Sequence, residues 1–220
     1  MKSSGQPAKS LEAIYRDRHG STLVPIAEAL QRHISEIFMS EPRVDRITAR
    51  AKGIASFIRK AGTLVQPKNR AKYSEPLAQI QDQIGARIIT FYKSDVQRLD
   101  EIVTKYFTPI EFRDRVPDSE WEFGYFGRHY VLLLPTDVID ETMDRAKIPD
   151  FFELQVKTLF QHAWSEADHD LGYKPDSDSK PLSKDEKRKL AYTSAQAWGA
   201  DEMFDELFRS KMFAVGSSQE

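Results

Sequence analysis

The stretch FFELQVKTLFQHAWSEADHDLGYK (151–174) changes period part-way, and that change limits the folds open to this chain more than any other feature. Glu153, Gln155 and Lys157 alternate with Phe152, Leu154 and Val156, the period-two pattern of a strand with one apolar and one polar face. From about Leu159 the pattern turns helical, with His162, Glu166 and His169 at i, i+4 and i+7. A strand feeding directly into a helix belongs to a layered architecture of both element types. A carboxylate next to two phenylalanines in such a strand needs a cation or a metal to offset its desolvation.

The rest of the chain extends this pattern. Leu11 to Met39 has helical periodicity interrupted near Gly20-Ser21-Thr22, with Pro25 in the first turn of a second helix. Thr48–Ala61 reads as a third helix stopped by Gly62, and residues 65–75 (VQPKNRAKYSE) as a basic loop. Strands are expected at Ala86–Tyr92, over EFRDRV (111–116), at Arg128–Leu134 and at Phe152–Thr158. Ser94 is expected to cap a helix running to about Phe107. After the polar PDSDSK (175–180), an amphipathic helix is expected from Ser183 to Met212, its apolar stripe including Leu190, Ala197, Met203, Phe204 and Leu207. The expected fold is α+β, a mixed sheet of about five strands covered by helices, with N- and C-terminal helical extensions. The expected division is a disordered start (1–10), N-terminal helices (11–40), a core (41–175), and a C-terminal helix and tail (176–220).

Composition removes several classes of chemistry. The chain has no cysteine, which excludes disulfides, a thiol nucleophile and Cys-based zinc or iron–sulfur sites. No apolar run approaches the ~18 residues that cross a bilayer, and MKSSGQPAKS is too short and polar for a signal peptide. These features lead us to expect a cytoplasmic protein without membrane contact. A formal net charge of −2 gives no global attraction to nucleic acid, so RNA binding would need a local basic patch. Lys68, Arg70 and Lys72, and Lys184, Lys187, Arg188 and Lys189, are the candidates, each run also readable as a solvated face. Walker A and GxGxxG patterns are both absent.

Four segments could carry chemistry. His162, Glu166 and His169 share a helix face, but zinc sites seldom draw three ligands from one helix and HExxH spacing is missing. Glu153 and Asp82, the latter just before a strand, could converge at one end of the sheet on a magnesium ion carrying phosphates. They could equally be an ion pair and a turn cap. The cations Arg50, Lys52, Arg59 and Lys60 could line an anion-binding cleft or form a solvated face. Tyr125, between two glycines in FGYFGRHY, is an exposed aromatic suited to stacking on a base, or a tyrosine of a small hydrophobic cluster.

Taken in order, RAK with its downstream RK (Arg50 to Lys60), DQIGARI (82–88), GYFGRHY (124–130) and ELQVKT…HAWSEADHDLGYK (153–174) resemble the synthetase domain of the RelA/SpoT family, which makes guanosine tetra- and pentaphosphate. Length and flanking helices resemble its small single-domain members. The resemblance implies a nucleotidyltransferase-like fold, and transfer of the β,γ-pyrophosphate of ATP to a ribose 3′-hydroxyl with Mg2+ as cofactor. It implies that Arg50 and Arg87 sandwich the adenine, and that Lys52, Ser56, Arg59 and Lys60 complete the ATP site. It makes Asp82 and Glu153 the metal carboxylates, Glu153 also helping to deprotonate the attacking hydroxyl. Tyr125, His129, Gln155, Lys157 and His162 would line the acceptor side, with Tyr125 stacking on the base.

This sequence departs from the guanine-specific pattern in FRDRVPDSEWEFGY (112–125), which lacks a Pro-Lys and an Asn before Gly124, and has Gly127 where a serine is usual. Toxin-type relatives use an adenine nucleotide or the tRNA 3′ CCA end instead, with tRNA or an antitoxin protein as partner. A non-catalytic nucleotide-binding module is a further alternative. Small members also assemble through terminal helices, which would make this chain a homo-oligomer.

Overall fold

The computed structural model describes residues 10–114, 124–125, 127–173 and 181–216. From the N-terminus, helices α1 (Leu11–Arg18) and α2 (Val24–Ile37) are joined by a π-type turn over His19–Leu23, so the expected break near Gly20 remains helical. Strand β1 (Val44–Ala51) and helix α3 (Ile54–Ala61) follow, then a two-stranded hairpin of β2 (Leu64–Val65) and β3 (Arg70–Ala71). A short helix α4 (Pro76–Gln79) and a 3-10 turn over Gln81–Gln83 lead into β4 (Ile84–Thr90) and α5 (Lys93–Tyr106). Strands β5 (Pro109–Asp114), β6 (Arg128–Leu133) and β7 (Phe151–Thr158) precede α6 (Leu159–Asp168) and α7 (Lys184–Gly216).

The five long strands form one mixed sheet in the order β1-β4-β7-β6-β5, matching the expected α+β class. Only β4 and β7 are parallel; the other pairs are antiparallel. Ile84, Ala86 and Ile88 of β4, Phe152, Leu154 and Val156 of β7, and Tyr130 and Leu132 of β6 line the core face. Helices α2, through Ile26, Leu30 and Ile34, and α5, through Val96, Leu99 and Val103, cover it. Each such side chain contributes about 1.5–3 kcal/mol by leaving water. The opposite face of the sheet is free to carry polar groups.

Three expectations are corrected here. Residues 48–51 are strand, not the start of a helix. Ile47, Ala49 and Ala51 alternate in burial with Arg46, Thr48 and Arg50, and pairing with β4 outweighs the helix propensity of an Ala-rich run. Ser94 does not cap α5. Its backbone N–H donates to Asp205 Oδ1 of α7 at 2.8 Å, so an acid from another helix satisfies that terminus. The stripe of Met203, Phe204 and Leu207 on α7 does not face the core: these residues are exposed, whereas Ser194, Asp201 and Asp205 are buried. Helix α7 therefore docks on α5 and α6 through these polar side chains together with two partly exposed rings, Phe204 stacked on Phe160 of α6 and Phe208 on Tyr92 before α5. Thr158 starts α6 with a capping box, its Oγ1 accepting from Gln161 N at 3.1 Å and its own N–H donating to Gln161 Oε1 at 2.9 Å.

Candidate active site

Parallel pairing of β4 and β7 sets Gly85 opposite Glu153 and Arg87 opposite Gln155. On the neighbouring strands, Arg50 lies opposite Gly85, Thr48 opposite Arg87, and His129 opposite Gln155. Residues directly opposite share a face, so Arg50, Arg87, Glu153, Gln155 and His129 stand together on the surface away from the core. Gly85 is the floor between Arg50 and Glu153. A Cβ placed there would meet no heavy atom within 4 Å, so this floor is open.

Asp82 sits in the 3-10 turn that enters β4. Lys52, in the turn after β1, and Lys60, on α3, place both ammonium groups on its Oδ2 at 2.8 and 2.9 Å. Lys52 N donates to Gln83 O at 2.8 Å, tying the two turns together. The other oxygen, Asp82 Oδ1, is buried and has no hydrogen-bond partner among the described residues. The Gln81–Gln83 turn packs against β7. Asp82 thus precedes β4, and Glu153 lies near the start of β7, the parallel neighbour of that strand.

Glu153 is held by a chain of polar contacts. Its Oε1 accepts from His129 Nδ1 at 2.7 Å and from Gln155 Nε2 at 2.9 Å. Gln155 Oε1 accepts from Arg87 Nε at 3.3 Å, and the Arg87 guanidinium pairs with Glu166 Oε1 at 2.7 Å. Partial burial works against charge on Glu166, yet Arg87 holds its carboxyl below the ordinary range. His162 is half-buried on α6. Burial lowers its pKa below the ordinary imidazole range, with the Glu166 charge opposing the shift and the Arg87 and Lys157 charges adding to it. Among the described residues no group of three or more His, Asp or Glu side chains could hold a metal ion. A metal here would need two carboxylates, with phosphates and water completing its shell.

Other expected residues sit differently. Tyr125 is buried at 7% exposure rather than presented to a cleft. Its hydroxyl donates to Asp201 of α7, which also accepts from Thr158 Oγ1. Burial, then the Asp201 contact, raises the Tyr125 pKa, and burial raises that of Asp201. Lys157 is 4% exposed and its ammonium donates to Ser165 Oγ at 2.9 Å, supporting α6 from below. Ser56 is half-buried in α3, and Arg59 is exposed on the same helix. A Cβ at Gly127 would stand 2.4 Å from Lys157 Cγ and 2.5 Å from Val156 O, so the glycine follows from tight packing on β7. The stretch 115–123, where the departures concentrate, lies outside the described residues. Sequence reasoning gave Glu166 no role; its spacing of four from His162 placed it on the right helix face, but only the sheet register supplies Arg87 as its partner. Asp201 had no sequence signal.

The family model for the region found in RelA / SpoT proteins matches residues 49–178. This chain belongs to the RelA/SpoT family. GTP pyrophosphokinase YjbM of Bacillus subtilis (strain 168) is 28% identical to it over 169 residues, 74% of this chain and 72% of that protein. The crystal structure of small alarmone synthetase 1 from Bacillus subtilis bound to its product pppGpp superposes with a TM-score of 0.67 at 25% identity, covering 88% of this chain and 98% of that one. A GTP pyrophosphokinase family protein from Streptococcus pneumoniae shares the fold at a TM-score of 0.66 and 22% identity, covering 94% and 97%. The side chains of this face from Arg50 to Glu166 fall within the matched RelA/SpoT region, whereas most of β1 precedes it and α7 follows it.

Proposed function

We propose that this chain is an ATP-dependent pyrophosphokinase that moves the β,γ-pyrophosphate of ATP to the 3′-hydroxyl of GDP or GTP and releases AMP. The observation that carries this reading is Asp82, clamped by two lysines at the entrance to β4, with Glu153 on the parallel neighbour β7 at an open, cation-lined sheet face in a RelA/SpoT chain. The names of the YjbM relative and of the pppGpp-bound neighbour support a guanine acceptor.

Arg50 and Arg87 are diagonal neighbours on adjacent strands, about 7–8 Å apart by strand geometry. That separation suits two guanidinium planes on either side of one purine. Lys52 and Lys60 would transfer their ammonium groups from Asp82 to the incoming phosphates. The buried, unpartnered Asp82 Oδ1 and the hard oxygen donors fit Mg2+, which Asp82 and Glu153 would hold. When bound, the ion neutralises triphosphate charge and stabilises the departing AMP oxygen. The acceptor 3′-oxygen attacks the β-phosphorus, forming one O–P bond as the bond from the β-phosphorus to the α,β-bridging oxygen breaks. Glu153, oriented by His129 and Gln155, takes the hydroxyl proton.

A second reading keeps the donor half and changes the acceptor to an adenine nucleotide or the tRNA 3′ end. The buried Tyr125 and the packed Gly127 favour it, because both alter the acceptor side. The exposed hairpin cations Lys68, Arg70 and Lys72 offer a surface for RNA phosphates, and an antitoxin protein would be the partner of such a toxin-type member. The outward face of α7, with Tyr192, Met203 and Leu207 exposed, supports self-association through the terminal helix. Light scattering that gave only monomer mass at micromolar concentration would remove that last part. Among the described residues no helix is long and apolar enough to cross a membrane.

The test offers ATP labelled at the γ-phosphate, with magnesium, to GDP, GTP, AMP, ADP and bulk tRNA in turn. Label on a guanine nucleotide is expected. Label only on tRNA or adenine nucleotides would establish the second reading, and ATP binding without transfer would leave a nucleotide-binding module.

A further inference from the structure

Helix α1 lies outside the matched RelA/SpoT region, yet two of its side chains reach the turns that frame the donor face. Tyr15 is fully buried and its hydroxyl donates to the carbonyl oxygen of Lys52 at 2.9 Å. Its ring stacks on Phe57 of α3, centroids 3.6 Å apart and planes 3° from parallel. One side chain therefore touches the turn that aims Lys52 and the helix that carries Lys60. Arg18, one turn further on the same face and 7% exposed, donates to Leu77 O at 2.9 Å and Lys147 O at 2.8 Å. Gln83, next to Asp82, donates to the same Leu77 carbonyl at 2.9 Å. Helix α1 thus anchors both sides of the Lys52–Asp82–Lys60 cluster.

We infer that Tyr15 is a positioning residue for the donor site, its hydroxyl fixing the Lys52 turn so that the ammonium meets the phosphates of ATP. This rests on reading the Lys52–Lys60 face as the ATP site. A buried hydroxyl used only for stability needs any nearby acceptor. This one takes the carbonyl of the residue whose side chain forms the cluster, while its ring aligns the second lysine's helix. Burial, followed by the nearby Asp82 charge, raises the Tyr15 pKa, so the phenol remains a donor throughout the neutral range.

The experiment compares Tyr15→Phe, which keeps the ring and the stack, with the wild type. Affinity for a non-hydrolysable ATP analogue is measured by calorimetry, alongside KM and kcat for each substrate and the melting temperature. Loss of one hydrogen bond predicts about a fivefold weaker ATP affinity and a matching rise in KM for ATP, with KM for the acceptor unchanged. In a Lys52→Met background the same change should have no further effect on ATP affinity, a coupling that a stability role alone would not give. Leu99→Ala, a fully buried residue of α5 outside this cluster, serves as the contrast, lowering the melting temperature without that coupling. Unchanged ATP affinity in Tyr15→Phe, full additivity with Lys52→Met, or failure of Tyr15→Phe to fold would overturn the positioning role. A wild-type chain that binds ATP but transfers nothing would sink the pyrophosphokinase reading alone. A wild-type chain that does not bind ATP would overturn both.

Discussion

In the free protein, Lys60 and Lys52 neutralise the carboxylate that is proposed to take the metal, and Lys60→Met therefore has two effects of opposite sign. The ammonium of Lys60 is 2.9 Å from Asp82 Oδ2, with the pair only partly exposed. A divalent and a monovalent cation about 5 Å apart repel by about 1.7 kcal/mol even at the dielectric of water. Salt at about 0.1 M reduces this to about 1 kcal/mol. Removing the charge should therefore strengthen binding of Mn2+, a paramagnetic stand-in for Mg2+, roughly five- to fifteenfold in the absence of nucleotide. The same substitution removes a charge-assisted contact to phosphate worth about 1.5–3 kcal/mol, so ATP affinity should fall at least tenfold. Electron paramagnetic resonance counts free Mn2+ in the first titration, and calorimetry follows the ATP analogue in the second. Equal or weaker Mn2+ binding in Lys60→Met would refute the idea that the lysines hold the metal carboxylate until phosphates arrive.

The two glycines of the site should separate fold from function. Gly85→Ala adds a Cβ to open space and should change stability by less than about 0.5 kcal/mol, while lowering transfer activity by narrowing the floor between Arg50 and Glu153. Gly127→Ala collides with Lys157 Cγ and the Val156 carbonyl and should cost about 1–3 kcal/mol in urea unfolding. The reverse ranking would contradict the assigned geometry. Asp201 has a folded pKa raised by burial. The folded state therefore binds the proton more tightly than the unfolded one, and stability falls as pH rises through the folded pKa. Asp201→Asn can still accept from Thr158 and Tyr125, and should flatten that fall in urea melts run upward from the ordinary carboxylate range; an unchanged slope would exclude Asp201 as its source.

Much of this arrangement was legible in the sequence because alternation fixes which side chains share a face. Glu153, Gln155 and Lys157 were correctly placed opposite Phe152, Leu154 and Val156, and Asp82 at the entrance to a strand. Burial of Lys157 was not foreseeable, since it depends on α6 folding back to supply Ser165. The misreading of Thr48–Ala61 as one helix has a similar origin. Alanines and arginines favour helix locally, and only the register with β4 makes residues 44–51 an edge strand. Tyr125 illustrates a third limit: flanking glycines suggested exposure, but its partner Asp201 comes from α7, 76 residues away in sequence. Contacts of that range leave no local pattern, and the same holds for Tyr15 and the Lys52 carbonyl.

The central claim, pyrophosphoryl transfer from ATP to a guanosine 3′-hydroxyl through Asp82 and Glu153, is tested most directly by the products' mass and stoichiometry. With ATP, GDP and magnesium, chromatography with mass detection should find a guanosine tetraphosphate and AMP in equal amounts. Glu153→Gln and Asp82→Asn should each abolish both products while remaining folded. Release of ADP instead of AMP, a product containing only adenine, or full activity in either variant would contradict the account.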